Sequence, residues 1–235
     1  MPAVFKILIF SKTTAYRHSS IPAGIRGLHR LASASASTPH PFTADHTEDS
    51  IVFNPTSLSA YRVIVLLQCS GDILTANQLD ALKGFVQSGG GVVAVHCSSF
   101  AMQSSEWYGR LIGGVFDNHP EPQIGRVTIV DSGHPVMACL PASEGSQSER
   151  TWMDEWYNFK PNPSVTAGNL HVLLAVDEKS YRGGGHGDDH PIAWCQTFDG
   201  GRSFYTSLGH FDEAYEDEWF MSQLLGGILW AAGLS

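Results

Sequence analysis

Gly89–Ala101, GGGVVAVHCSSFA, places a histidine and a cysteine where an apolar run stops. A buried strand that turns sharply exposes the residue at its tip, as a nucleophile elbow does at the carboxyl end of a parallel sheet. Such a turn needs small residues two positions to either side of the tip. With His96 at the tip the flanks are Ala94 and Ser98. With Cys97 there they are Val95 and Ser99, and valine is too bulky. The spacing therefore favours His96. Imidazole is a poor acyl-transfer nucleophile but a good base, proton shuttle or metal ligand. The plainer alternative is a structural histidine bonded to nearby backbone. Cys97 as a reactive thiol is secondary, because buried free cysteines are usually inert.

Other segments carry further candidates. TWMDEWYNF, Thr151–Phe159, sets Asp154 and Glu155 among four aromatics. A carboxylic acid against aromatic surface has a raised pKa and suits acid–base work. If the segment is extended, only one of the two faces the apolar side. Trp152 and Trp156 offer rings for stacking a sugar, and an ordinary amphipathic edge explains them equally well. GGVFDNHPEP puts His119 in a Gly/Pro-rich loop. His134 in SGHP reads as part of a rigid turn. GGGHGDDHP, Gly183–Pro191, has the composition of a metal loop in His186, Asp188, Asp189 and His190. Its spacing matches no standard site, so a solvated loop is expected. His210, in SLGHFDEAYEDEWF, follows a strand, with Asp212 and Glu213 close behind.

The elements that must position these groups alternate along the chain. VFKILIF (4–10) reads as the first strand, followed by the polar loop SKTTAYRHSS. A helix follows, capped by Ser19 or Ser20 with Pro22 in its first turn. Phe42–Asp45 is a weak strand signal. Tyr61–Gln68 and VVAVH are strong ones, apolar enough to be buried on both faces. Thr75–Ser88 reads as a helix with a glycine stop, and Trp107–Ile112 as a short one. Gly125–Val130 and Leu170–Val176 are further strands. Pro191–Thr197 and Arg202–Ser207 flank Asp199-Gly200-Gly201, a strong hairpin signal. A helix over Asp217–Ala232 closes the chain. Its Trp and Phe residues fit a core helix and also hint at a homo-oligomer. There is no repeat and no linker. The expected fold is one α/β domain over 1–235: a flavodoxin-like parallel sheet flanked by helices, with an added antiparallel hairpin.

Composition bounds the function. The chain has 235 residues and a net charge of -9, which argues against nucleic-acid binding. Eleven histidines against fourteen Lys and Arg is a high share. The apolar start, MPAVFKILIF, lacks a cleavage site and is too short to span a bilayer. The four scattered cysteines form no CxxC and read as reduced thiols in the cytoplasm.

Five pieces together resemble the ThuA-like family, named for trehalose utilisation, whose members are similar to class I glutamine amidotransferases in fold. They are RHSSIP (17–22), GGGVVAVHCSS, GGVFDNHP, DEWYNF (154–159), and PIAWCQTFDGGRSFYTSLGHFDEAY running on to GGILWAAG. They occur in family order over nearly the whole chain. In the amidotransferases the elbow tip is cysteine, so His96 at the tip argues against glutaminase chemistry. The resemblance implies carbohydrate catabolism, including keto-sugars made by a partner oxidoreductase. It also implies a pocket formed by His18, His96, His119, Glu155, Tyr157 and His210.

Three functions follow as expectations. The first is an enzyme acting on a disaccharide or keto-sugar. His96, Glu155 and His210 would be catalytic, and His18, His119, Trp156, Tyr157 and Cys97 would line the substrate. One divalent metal, Zn, Mn or Ni, would draw its ligands from His96, His119, His210 and Glu155. The second is a non-catalytic sugar-binding or regulatory module on the same scaffold. The third is a hydrolase using Cys97.

Overall fold

The computed structural model describes residues 3–141, 148–166 and 170–234. Eleven strands are present among them: β1 (Phe5–Phe10), β2 (Phe42–Thr47), β3 (Val63–Leu67), β4 (Gly91–Val95), β5 (Phe116–Asn118), β6 (Gln123–Ile129), β7 (Glu149–Asp154), β8 (Asn158–Phe159), β9 (His171–Asp177), β10 (Pro191–Phe198) and β11 (Gly201–Thr206). The helices are α1 (Ile21–Ser35), α2 (Pro55–Leu58), α3 (Ala76–Gln87), α4 (Glu106–Ile112), α5 (Pro163–Thr166) and α6 (Glu218–Ala231).

Nine strands form one sheet in the order β2-β1-β3-β4-β11-β10-β9-β6-β7. The pairings from β2 through β11 are parallel. Those from β11 onward, through β10, β9, β6 and β7, are antiparallel. β3 and β4 are buried at every residue, which is why they read as unbroken apolar runs. Their side chains alternate between two cores. Val63, Val65, Leu67, Val93 and Val95 meet residues of α1 and α6. Ile64, Leu66, Val92 and Ala94 meet residues of α3 and α4. Helices therefore cover both faces of the parallel half. This is the doubly wound arrangement, which places ligands beyond the carboxyl ends of the strands.

The antiparallel part is larger than a single hairpin. The β10–β11 turn has positive φ at Asp199 and Gly200 (50° and 96°), as the Asp-Gly signal requires. β7, however, pairs outside β6 at the sheet's edge, and β5 pairs with β8 in a second, two-stranded sheet. β5 and β8 are too short to show a period, and β7, ERTWMD, has no apolar–polar alternation. Trp219 and Phe220 of α6 are buried in the core, and Trp230 is half-buried against it. No helix among the described residues is long and apolar enough to cross a membrane.

Candidate functional site

The elbow lies where β4 ends. His96 has φ 53°, in the left-handed region that costs a residue with a Cβ, and opens a 3-10 turn over His96–Phe100. Buried hydrogen bonds hold this conformation. Tyr205 donates its hydroxyl to the His96 carbonyl at 2.9 Å. Ser98 Oγ donates to Leu66 O at 2.7 Å, and Tyr108 donates to Ser98 O at 3.0 Å. His96 Nδ1 donates to Ser207 O at 2.6 Å. That bond fixes the tautomer and leaves the Nε2 lone pair facing inward.

Three more groups meet His96 Nε2 from distant parts of the chain. His18 comes from the loop between β1 and α1, and its Nε2 lies 3.1 Å away. Glu155, the residue after β7, brings Oε2 to 3.3 Å. Tyr157 donates its hydroxyl at 2.9 Å and lays its ring on the imidazole, centroids 4.5 Å apart. His210, beyond β11, puts Nδ1 3.1 Å from Glu155 Oε2. That contact misses hydrogen-bond geometry, so the buried His210 Nδ1 has no hydrogen-bond partner. One ligand atom from each of His18, His96, Glu155 and His210 lies within 4.8 Å of the others.

The supports are polar and buried. Asp154 is fully buried and clamps two segments. Its Oδ1 accepts from the backbone N–H of Glu155 (2.9 Å) and His210 (3.2 Å). Its Oδ2 accepts from Gly209 N–H (2.9 Å) and Trp152 Nε1 (3.0 Å). From the other side Ser20 donates to His210 O and Gln68 donates to Gly209 O, both at 2.6 Å. Gly209 has φ 116°, and a Cβ there would also meet the Tyr215 hydroxyl. Asp154 thus orients both neighbouring site residues. The expectation that only one of Asp154 and Glu155 turns inward fails because β7 stops at Asp154, ending the alternation.

Gly183–Pro191 is exposed over 183–185 and 187–189, as expected of a solvated loop, but its His190 is drawn in beneath Tyr157. His190 is fully buried, donates Nε2–H to Tyr157 O at 2.8 Å, and turns Nδ1 to Glu178 Oε1 at 2.7 Å. Glu178 also accepts from His186 N–H, and His186 Nε2 accepts from Phe159 N–H. Asp188 pairs outward with Lys179. The histidines of this segment support the site from behind and form no metal cluster among the described residues.

Charge follows from this packing. Burial pushes the Glu155 carboxyl up, but the imidazoles of His18, His210 and His96 packed against it outweigh burial and hold the group well below the usual carboxylate range. The raised pKa expected for this acid is thus reversed by imidazoles that sequence spacing does not show. Burial lowers His18 to about 4. Burial also pulls His210 down, yet Glu155 and then Asp154 more than offset it and its value is raised. Burial lifts the Cys97 thiol well above its ordinary value.

The expected residues separate accordingly. His18, His96, Glu155 and His210 converge, with Tyr157 against them. His119 stays at the rim, half-exposed, with Nε2 3.7 Å from Glu155 Oε1. His18 takes the place expected for His119 in the metal-capable group. Cys97 Sγ lies beneath, 3.3 Å from His18 Nδ1. Trp156 is a correction: its ring is fully buried against Gly125 and Tyr181, and Nε1 donates to Gln123 O. It presents no face to a sugar. Trp152 packs on Trp219 and Phe220. The exposed ring beside the cluster is Tyr16, edge-on to His18 at 4.7 Å and 64% exposed. Sequence reasoning missed it, although it stands two residues before His18.

The comparisons agree with this fold. A ThuA-like protein of Bacteroides uniformis has a TM-score of 0.76 at 24% identity, over 97% of this chain and 91% of that one. A ThuA-like protein of Parabacteroides merdae has a TM-score of 0.70 at 20% identity, over 99% and 90%. A cytoplasmic protein of Salmonella typhimurium has a TM-score of 0.65 at 11% identity, over 96% and 98%. At these identities the likeness shows a shared fold. No curated protein is similar enough in sequence to count as a relative. The sequence profile of the ThuA family, described as trehalose utilisation, matches residues 6–231. With nearly its whole length matched, the chain belongs to the ThuA family.

Proposed function

We propose that the protein is a cytoplasmic enzyme of carbohydrate breakdown that acts on a disaccharide or keto-sugar. The family supplies the link to carbohydrate. One observation carries the enzymatic reading: two further imidazoles and an ionised carboxylate converge on an elbow histidine with a fixed tautomer. A site that only bound a neutral sugar would have no need to bury these groups. His96 Nε2 carries the unprotonated lone pair, met in the resting site by the Tyr157 hydroxyl, and takes a proton from a substrate hydroxyl or an activated carbon that displaces it. Glu155 stabilises positive charge on the imidazoles as the proton moves. Tyr157 holds the substrate oxygen beside His96, and half-exposed His119 borders the entrance.

Purified protein incubated with trehalose, other disaccharides and their keto derivatives is expected to release product from one class. His96→Ala should abolish release while calorimetric binding persists. Binding by both proteins with product from neither would make the chain a sugar-binding module. The exposed Tyr16 ring gives a second expectation. Tyr16→Ala should raise KM roughly 2- to 12-fold, the range of about 0.5–1.5 kcal/mol for an aromatic contact, with an unchanged melting temperature.

Cys97 fits nucleophile chemistry poorly. Its thiol is buried and held protonated, and thiolate is the reactive form. Cys97→Ser is expected to keep turnover. Loss of turnover in that variant, with its melting curve intact, would revive the thiol-hydrolase reading.

A further inference from the structure

We infer that His18 Nε2, His96 Nε2, His210 Nδ1 and Glu155 Oε2 are the ligands of one divalent first-row transition metal, resident in the native protein. The inference rests on the reading of this cluster as the working site, and with an ion bound His96 Nε2 would serve as a ligand in place of a base. A tetrahedral ion with bonds of about 2.0–2.1 Å sets its ligand atoms about 3.3 Å apart. Four of the six separations here are 3.1 Å (His96–His18), 3.3 Å (His96–Glu155), 3.7 Å (His18–Glu155) and 3.1 Å (His210–Glu155). All six stay within 4.8 Å. Four of the six pairs are therefore close to ligand spacing before any side chain moves.

Two observations outside these distances point the same way. His210 Nδ1 is buried, aims into the cluster and has no hydrogen-bond partner. A buried polar atom left so is costly unless something else takes its lone pair. His96 Nδ1–H is committed to Ser207 O, the outer bond that metal-bound histidines usually make to orient the ring. His18 Nδ1 likewise faces away, toward Cys97 Sγ at 3.3 Å.

The donor set selects the ion class. Three imidazoles and one carboxylate suit Zn, Mn, Fe, Co or Ni and are a poor match for Mg or Ca, which take oxygen. The more exposed His119 and His210 mark the solvent side. A fifth or sixth coordination position there would take water or a substrate oxygen next to Glu155 Oε1.

The test is direct binding. Chelator-dialysed, untagged protein is titrated with Zn2+, Mn2+ and Ni2+ by calorimetry, and Co2+ is followed by visible absorption. One of these ions is expected to saturate at one per chain. His18→Gln and His210→Gln should weaken it by at least about 100-fold. His119→Gln, which removes only a rim residue, should leave affinity within about threefold, inside ordinary variant scatter. The Co2+ spectrum should lack a thiolate charge-transfer band and should not change in Cys97→Ser. Melting curves for each variant separate lost ligands from lost fold. No saturable site in the wild-type chain, or affinity unchanged in both folded His18 and His210 variants, overturns the inference. Sugar turnover that persists in demonstrably metal-free protein would overturn it too while leaving the sugar reading standing. A metal site without sugar turnover would do the opposite.

Discussion

Glu155→Gln is expected to lower kcat about 100- to 10,000-fold, the range for losing a positioned acid–base group, while the protein stays folded. The carboxylate is the one anion that all four imidazoles share. Oε2 faces His210, His96 and His18, and Oε1 faces His119. An amide keeps the shape and removes the charge, so the imidazolium that forms during turnover loses its counter-ion. A merely structural role would leave the pH dependence of kcat unmoved. Here the acid limb of the profile should shift, and a kcat within about tenfold of wild type would remove Glu155 from the chemistry.

The same substitution changes how stability depends on pH. Glu155 is held below its ordinary value of 4.5, so its contribution is present above that pH and lost as pH falls. His18 drops from 6.5 to about 4. The unfolded chain therefore binds the extra proton between those values, and stability falls as pH falls through that window. His210 runs the other way: its raised value favours the folded state below 6.5 and loses that contribution as pH rises. The wild-type melting temperature should fall from pH 6.5 to 4. Scanning calorimetry of Glu155→Gln should show a shallower fall below pH 4.5.

Asp154→Ala should be the most destabilising single change at the site, by about 3–5 kcal/mol, as when one partner of a buried charged network is removed. Four N–H donors would lose their acceptor at once, three of them backbone groups with nowhere else to turn. At roughly 2–4 °C per kcal/mol for a chain of this size, the melting temperature should drop by about 6–20 °C. Asp154→Asn keeps the volume and one oxygen but sets an NH2 against N–H donors, so it should recover only part of the loss. A drop below about 2 °C for alanine would mean that the loop holding His210 is secured without Asp154.

The fold and the site differ in how far the sequence reveals them. β3 and β4 are legible because strands buried on both faces must be apolar throughout, and the β10–β11 turn because Asp-Gly favours left-handed backbone. β5 and β8 escape because two or three residues carry no period. Within the site, His96 is legible from its small flanks, a local steric demand. Glu155 and His210 are visible as candidates, but the ligand grouping is not. Whether His18 or His119 stands nearest His96 depends on pairings between distant strands. Trp156 misleads for a related reason: an aromatic beside an acid looks like a binding platform until Gly125 on the neighbouring strand β6 proves to be the floor it covers. His190 looks like loop until Glu178 and the Tyr157 carbonyl draw it inward.

The four arms of the cluster come from positions 18, 96, 155 and 210, each at the end of a different strand or loop. No contiguous half of the chain holds them all, so the site is assembled only when β1, β4, β7 and β11 have found their places. Parallel strands joined across long stretches of chain close slowly, since loop entropy is lost before contacts repay it. A ligand that needs all four arms can grip only the finished fold. At 100 times its dissociation constant it would hold that fold by about 2.7 kcal/mol. The cluster would then act as a latch on folding as well as a place for chemistry, and a chain released before β11 is made would be unable to fasten it.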